Sequence, residues 1–185
     1  MKALRKSFLI EGEFRLDDPR VKEAVDYLNS ACGNTRVLIS LPNNRGGHVE
    51  SAERLIRAIE KTNAFKVELV FSGFAISAAA YVFAYFSFYA PQEHIHTRAN
   101  KKLCLVYHKP RFTQKNVIVF SNSIIDKSTN DPSKKYLLGI TPEFDKVFNE
   151  MCGVLLEIGY EIAPHMEAIY NVNGDVSIVF DEGLI

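Results

Sequence analysis

The sequence has few of the features that mark secreted, metal-binding or nucleic-acid-binding proteins. It contains only three cysteines, without close pairing or metal-ligand spacing, and an odd count argues against a disulfide framework. Lys plus Arg and Asp plus Glu both number 22, and no basic run is interleaved with aromatic residues. This balance argues against nucleic acid as a partner. The composition favours a reducing compartment, the cytoplasm.

The sequence also lacks a long apolar run at its start. The basic segment 1–6 is followed by apolar residues that Glu11 and Glu13 interrupt, too early for a signal peptide. Segment 69–90 carries no charged residue and has the length of a membrane-spanning helix. However, Gly73 divides it, and the part before Gly73 is β-branched and aromatic. We therefore expect a buried strand followed by a buried helix, and no membrane partner.

The chain of 185 residues is long enough for one sizeable core, and no linker divides it. We therefore expect a single domain over residues 1–185. Asp18 and Pro19 have the pattern of a helix start. A strand over 37–41, a helix over 49–59 and a strand over 66–71 follow. This alternation predicts an α/β fold with a parallel sheet and right-handed crossovers.

The second half of the chain has weaker signals. They predict strands over 93–97, 103–107 and 116–120, a surface loop over 121–135 and a long helix over 142–158. Four apolar residues of that helix lie on one face, and they are more than one small domain needs to bury there. We expect part of this apolar stripe to be a subunit interface; its members are Phe144, Phe148, Met151 and Val154.

Candidate catalytic residues lie at the ends of predicted strands. Ser77 stands between the strand that precedes Gly73 and a run of small residues that predicts a helix. A helix N-terminus stabilises negative charge, so a serine there can act as a nucleophile. The pair Gly46-Gly47 follows another strand, and glycines let the backbone approach a ligand closely. His108 ends a third strand, where it can act as a base.

These motifs, in this order, resemble those of the Clp protease proteolytic subunit (ClpP) family, which has the crotonase-like fold. Residues 8–13 resemble its first strand, 44–47 its Ser-Pro-Gly-Gly turn with Arg45 in place of proline, and 73–77 its Gly-x-Ala-x-Ser motif. Residues 105–110 resemble its strand ending in His-Gln-Pro, and 183–185 its terminal Gly-Leu-Ile. The resemblance implies a ClpP/crotonase-like α/β fold with repeated β-β-α and βα units.

The resemblance also implies a serine endopeptidase without a cofactor. Ser77 would be the nucleophile, His108 the base and Asp175 the acid, with Asp181 as the alternative acid. The backbone N–H groups of Gly47 and Ala78 are the natural oxyanion donors. The substrate would be a peptide or an unfolded protein, cleaved inside a homo-oligomeric ring. An AAA+ unfoldase would be the partner in ATP-dependent proteolysis.

Other interpretations of the same residues remain open. The chain can be a noncatalytic ring subunit or scaffold that keeps the fold, or an acyl-CoA hydratase or isomerase in which the oxyanion donors polarise a thioester. Ser77 can be an ordinary helix cap. His94 and His96 share one strand face, but two histidines without a third ligand are usually structural, so we expect no metal site.

Overall fold

A computed structural model of the chain describes residues 4–181. Strands and α-helices alternate over most of this part of the chain. The strands are β1 Leu4–Leu9, β2 Thr35–Asn44, β3 Lys66–Ile76, β4 Ile95–Tyr107, β5 Arg111–Gln114, β6 Val117–Phe120 and β7 Val176–Phe180. The α-helices are α1 Pro19–Ser30, α2 Val49–Lys61, α3 Ala78–Ala84, α4 Pro132–Glu157 and α5 Met166–Asn171. A π-helical turn, Tyr85–Tyr89, continues α3, and a short 3₁₀ turn, Ser121–Ser123, follows β6.

The central sheet has five strands in the order β1-β2-β3-β4-β7. The first four strands are parallel, and β7 pairs antiparallel with β4. This confirms the prediction of an α/β fold with a mostly parallel sheet. Strands β5 and β6 form a separate hairpin, so the strand predicted at 116–120 has its partner immediately before it in the chain.

The core lies between one face of this sheet and a layer of helices. Helix α1 contacts α2, α2 contacts α3, and α3 contacts α4. All seven residues of α3 are buried, because small side chains allow close packing of this helix against β3 and β4. Phe71 of β3 and Phe180 of β7 both pack against Phe83 of α3. On the opposite face of the sheet, Arg36 is exposed and Leu38 is half-buried.

Segment 69–90 folds as expected, as the end of β3 followed by the buried helix α3 and its π-helical turn. Within residues 4–181, no helix combines the length and the apolar character needed to cross a membrane.

Two predicted boundaries were wrong. The strands expected at 93–97 and 103–107 are one strand, β4, which continues through Lys101 at a positive φ of 66°. The loop expected over 121–135 ends early, because α4 begins at Pro132. Asp131 caps this helix, and its carboxylate accepts hydrogen bonds from the N–H groups of Ser133 (3.0 Å) and Lys134 (3.3 Å).

The apolar stripe of α4 is core rather than surplus surface. Phe144, Phe148 and Met151 are fully buried within the single chain, and Val154 is half-buried. Phe144 stacks on Tyr81 with ring centroids 4.0 Å apart, and Phe148 stacks on Tyr170 at 3.9 Å. The expectation that this stripe forms a subunit interface was therefore wrong for its three buried members.

Candidate active site

Ser77 occupies a strained junction between β3 and α3. Its backbone has φ 57° and ψ −122°, a conformation that residues with a side chain rarely adopt. The junction is held on both sides: Ser77 N–H donates to Val106 O (2.9 Å), and Tyr81 N–H donates to Ser77 O (2.9 Å). The Ser77 side chain makes no capping hydrogen bond to α3 within the described residues. Ser77 therefore occupies the N-cap position of α3, but its hydroxyl does not cap the helix.

The Gly46-Gly47 turn after β2 lies directly against this junction. Both glycines have positive φ, 80° and 105°. A Cβ atom added to Gly46 would lie 2.7 Å from Ser77 Cβ and 2.8 Å from Ala78 N, closer than packed atoms approach. Only glycine allows the two backbones to meet here.

The two N–H groups that the sequence suggested as oxyanion donors belong to the two segments that meet here, Gly47 to the turn and Ala78 to the start of α3. Among residues 4–181, neither Gly47 N–H nor Ala78 N–H donates to another backbone or side-chain group. Ala78 is the first residue of α3, where an N–H has no intrahelical acceptor. Two unpaired donors beside a serine are the arrangement that stabilises a tetrahedral oxyanion.

The glycine turn is supported by a residue that the sequence analysis did not single out. Asn44 is fully buried; its Oδ1 accepts from Gly46 N–H (2.9 Å), and its Nδ2 donates to Ile10 O (2.9 Å). On the other side, Phe14 N–H donates to Gly46 O (2.6 Å), and His48 N–H donates to Phe14 O (2.9 Å). The position of Asn44 beside the paired glycines was the only sequence signal for this role.

His108 lies near Ser77 because the two residues follow the ends of neighbouring strands, β4 and β3. Ile76 pairs with Val106 in the parallel register of β3 and β4, so both strands end at the same edge of the sheet. His108 is 4 % exposed. Burial lowers its pKa below the ordinary value of 6.5, and the positive charge of Arg111 acts in the same direction. The Lys109 carbonyl and the negative charge of Asp175 act in the opposite direction. A lowered pKa keeps the imidazole neutral at pH 7, as a general base requires.

Asp175 lies at the same sheet edge but pairs with another residue. Tyr107 pairs with Val176 in the antiparallel register of β4 and β7, so Asp175 stands opposite His108, one position beyond the last pair. Its carboxylate lies 3.3 Å from the guanidinium of Arg111, and its side chain is 49 % exposed. His108 Nδ1 instead lies 2.8 Å from Lys109 O. Among the described residues, no hydrogen bond joins His108 to Asp175 or to Ser77.

The alternative acid, Asp181, lies at the far end of β7. Phe180 pairs with Leu103, and Asp181 forms an ion pair with Lys102 (3.2 Å). His108 lies six residues after Lys102 along an extended strand, a distance of about 20 Å. Asp181 is therefore too far away to orient His108. The Gly-Leu-Ile segment, 183–185, lies outside the described residues.

A second polar group adjoins the site, and the sequence analysis missed it. Lys109 Nζ lies 2.7 Å from Asp145 Oδ1 and 4.4 Å from the ring centroid of Tyr170. Tyr170 Oη donates to the same carboxylate oxygen (2.9 Å). These side chains come from the segment after β4, from α4 and from α5, and no local pattern indicates that they meet. The same holds for Arg111 and Asp175.

Over residues 4–181, no group of three His, Cys, Asp or Glu side chains is placed to hold a metal ion. His94 directly precedes β4, and His96 is exposed on it.

The described part of the site combines three features: a strained serine at a strand–helix junction, a neighbouring histidine, and two unpaired N–H donors. Comparison of the chain with protein-family models and with curated proteins finds no match.

Proposed function

We propose that this chain is a serine peptidase of the ClpP type, with Ser77 as nucleophile and His108 as general base. The observation that supports it best is the backbone strain of Ser77. A non-glycine residue held at such φ and ψ costs about 1–3 kcal/mol, and strain of this kind is concentrated at functional sites. The close approach of Gly46 to Ser77 and Ala78 supports the proposal further, because an oxyanion site formed by Gly47 N–H and Ala78 N–H requires the glycine turn to lie against this junction.

The chemistry follows from these positions. Ser77 Oγ attacks the peptide carbonyl while its proton passes to Nε2 of His108, and the carbonyl electrons move onto the oxygen that faces Gly47 and Ala78. The C–N bond then breaks, and the leaving nitrogen takes the proton from Nε2. Water hydrolyses the acyl-enzyme with His108 acting again as base. Asp175 supports the imidazolium by its charge from the neighbouring strand position.

The proposed substrate is a peptide or an unfolded protein, without a cofactor. We include in the proposal a cytoplasmic, ring-shaped homo-oligomer and an AAA+ unfoldase as its partner. These features depend on the resemblance of residues 44–47, 73–77 and 105–110 to the ClpP family. The apolar stripe of α4 gives them no support, since Phe144, Phe148 and Met151 are buried in the chain's own core.

A noncatalytic ring subunit is the second candidate. The pairing of Asp175 with Arg111, and of His108 Nδ1 with Lys109 O, favours it, because the described residues contain no complete hydrogen-bonded triad. Hydrogen bonds of catalytic groups are often long or absent before substrate binds, so this geometry leaves the peptidase as the first candidate.

A fluorophosphonate probe distinguishes the candidates, because it labels only an activated serine. We expect labelling of the wild-type protein, loss of labelling in Ser77→Ala, and full labelling in the control Ser72→Ala, which changes a serine within β3. Ser77→Ala should also lose the hydrolysis of fluorogenic peptides, and Ser72→Ala should keep it. A folded wild-type protein that takes no label would support the scaffold, and turnover of an enoyl thioester without label would support the hydratase.

A further inference from the structure

Two neighbouring groups could accept a hydrogen bond from Nδ1 of His108, the ring nitrogen that does not act as the base. One is the carboxylate of Asp175, and the other is the carbonyl of Lys109. The structure gives Nδ1 to the carbonyl, at 2.8 Å. A carbonyl oxygen only accepts hydrogen bonds, so Nδ1 must carry the proton, and Nε2 keeps the free lone pair that a base needs. The hydrogen bond lies in a buried site, where it is stronger than in water.

The carbonyl of Lys109 is held from both sides along the chain. Pro110 follows it and restricts the Lys109 backbone to extended conformations. The Lys109 side chain is 11 % exposed and is held by the ion pair with Asp145 (2.7 Å) and by the ring of Tyr170. A buried lysine must have such a partner, since an unpaired charge costs several kcal/mol to bury. Asp145 therefore holds Lys109 in place, and the Lys109 carbonyl in turn orients the imidazole of His108.

Asp175 is held elsewhere. Its carboxylate pairs with Arg111 and remains half exposed to water. Water and the guanidinium both weaken its effect on His108, because they screen the charge. A direct hydrogen bond to Nδ1 would require both the Lys109 carbonyl and Arg111 to be displaced.

We propose that the Lys109 carbonyl is the group that orients His108, and that Asp145 is a positioning residue that acts through the Lys109 side chain. This inference rests on the proposed peptidase function. In the reaction, Nδ1–H remains hydrogen-bonded to the Lys109 carbonyl throughout. Nε2 receives the Ser77 proton and passes it to the leaving nitrogen. The step needs no proton transfer to a carboxylate and no further co-reactant.

The test compares variants by their rate of reaction with the fluorophosphonate probe and by kcat and KM for a fluorogenic peptide. Lys109→Met and Asp145→Asn should each slow labelling by about tenfold, the effect of losing one hydrogen bond of ordinary strength. The loss should fall on kcat rather than KM. Asp145→Glu should recover part of the rate, and Asp175→Asn should slow it less than Asp145→Asn does.

Lys146→Met is the matched control, because it removes a neighbouring lysine whose ion pair with Glu143 is exposed. It should leave the labelling rate unchanged. A purely structural role of Asp145 predicts lower stability but a normal labelling rate for the folded protein. Urea unfolding of each variant therefore accompanies the rate measurement. Equal rates for wild type and Asp145→Asn, or a larger loss in Asp175→Asn, would overturn the inference.

A second measurement does not depend on activity. Nitrogen-15 NMR of the histidine rings, assigned with a His108→Gln variant, reports which ring nitrogen of His108 is protonated. We expect Nδ1–H in the wild type and in Asp175→Asn, and a mixture of tautomers in Asp145→Asn. An Nε2–H tautomer in the wild type would refute the inference. If the protein takes no probe while NMR finds Nδ1–H, the peptidase proposal fails and the hydrogen bond stands.

Discussion

Ser77 concentrates the strain of the site in one residue. Its backbone, at φ 57° and ψ −122°, lies outside the regions that L-residues prefer, and its N–H and C=O both form hydrogen bonds with neighbouring elements. Strain persists only where the surrounding structure imposes it. Here β4 fixes the N–H, α3 fixes the carbonyl, and Gly46 limits movement of the Cβ atom. The hydroxyl is thereby presented at the sheet edge without serving as a cap.

Two charged neighbours of His108 should move the pH profile in opposite directions. Burial lowers the pKa of His108 most, Arg111 lowers it further, and Asp175 raises it. Because the base must be neutral, the labelling rate of the wild type should fall only below pH 6.5. Arg111→Gln should move this inflection to higher pH, and Asp175→Asn should move it to lower pH. The measurement is the labelling rate between pH 4 and 9.

The matched control for the pH profile is Lys102→Gln, since Lys102 pairs with Asp181 at the far end of β7. It should not change the inflection. Shifts of the same sign in Arg111→Gln and Asp175→Asn would contradict the arrangement of charges described here.

At the scale of elements, the site depends on the close approach of the turn after β2 to the start of α3. Gly46→Ala would force its Cβ against Ser77 Cβ and Ala78 N. We expect the turn to move away, which separates Gly47 N–H from Ala78 N–H and lowers kcat/KM by about 100-fold, as loss of one oxyanion donor does in other enzymes. Peptide hydrolysis and circular dichroism check this.

Gly33→Ala is the control for Gly46→Ala, because a Cβ at Gly33 meets open space. It should keep full activity. A Gly46→Ala variant as active as Gly33→Ala would show that the turn does not form the oxyanion site.

The sequence predicts elements well where periodicity or a start signal is local. The strand–helix–strand order from β2 to β3 and the edge that carries Ser77 and His108 follow from such signals. Helix α4 was predicted to begin at 142; in the structure Pro142 lies inside the helix, which begins at Pro132 with Asp131 as its cap. Packing of Leu137 and Ile140 in the core outweighs the hydrogen bond lost at Pro142.

Local sequence patterns did not predict the contacts between residues that are far apart in the chain. The choice of partner for Asp175 depends on the hairpin β5-β6, whose first residue is Arg111. The type of hairpin follows from Lys115 and Asn116, which both have positive φ. Where this hairpin lies relative to β7 is a matter of tertiary packing, and no local periodicity encodes it. The pairing of Lys109 with Asp145 is missed for the same reason.

Phe148→Ala should test α4 as a core element. Phe148 is fully buried and stacks on Tyr170, and removing such a ring costs about 3–5 kcal/mol. The midpoint of urea unfolding should fall accordingly. Leu156→Ala, which changes an exposed residue of the same helix, should have little effect. If Phe148→Ala instead split an oligomer into folded, stable subunits, the ring would contribute to the interface after all.

For the molecule as a whole, the segment between β1 and α1 links stability to the site. Asp18 is buried and pairs with Arg20, whose guanidinium also donates to the carbonyls of Glu11 (2.5 Å) and Glu13 (2.6 Å). Phe14 lies within the loop closed by these bonds and pairs with the Gly46-Gly47 turn. Loss of the Asp18 charge should therefore weaken the fold and loosen the Gly46-Gly47 turn together.

Acid should destabilise the protein through two groups, His108 and Asp18. His108 has a lowered pKa in the fold, so the unfolded chain binds its proton first, and stability falls as pH drops below 6.5. The hydrogen bond with Arg20 lowers the pKa of Asp18 from 3.8 to about 2, so its contribution is complete above 3.8 and is lost as pH falls to about 2. That shift corresponds to about 2 kcal/mol.

Urea unfolding of the wild type, Asp18→Asn and Asp26→Asn between pH 2 and 8 measures these effects. Asp18→Asn should be less stable at pH 7 by about 2 kcal/mol and should lose the decline between 3.8 and 2, because the titrating carboxylate is gone. Asp26→Asn should follow the wild-type curve, since Asp26 forms only an exposed ion pair with Lys22. At pH 7, Asp18→Asn should also take the fluorophosphonate probe more slowly than Asp26→Asn, because Phe14 no longer holds the glycine turn firmly. An unchanged labelling rate would separate the stability of this loop from the geometry of the site.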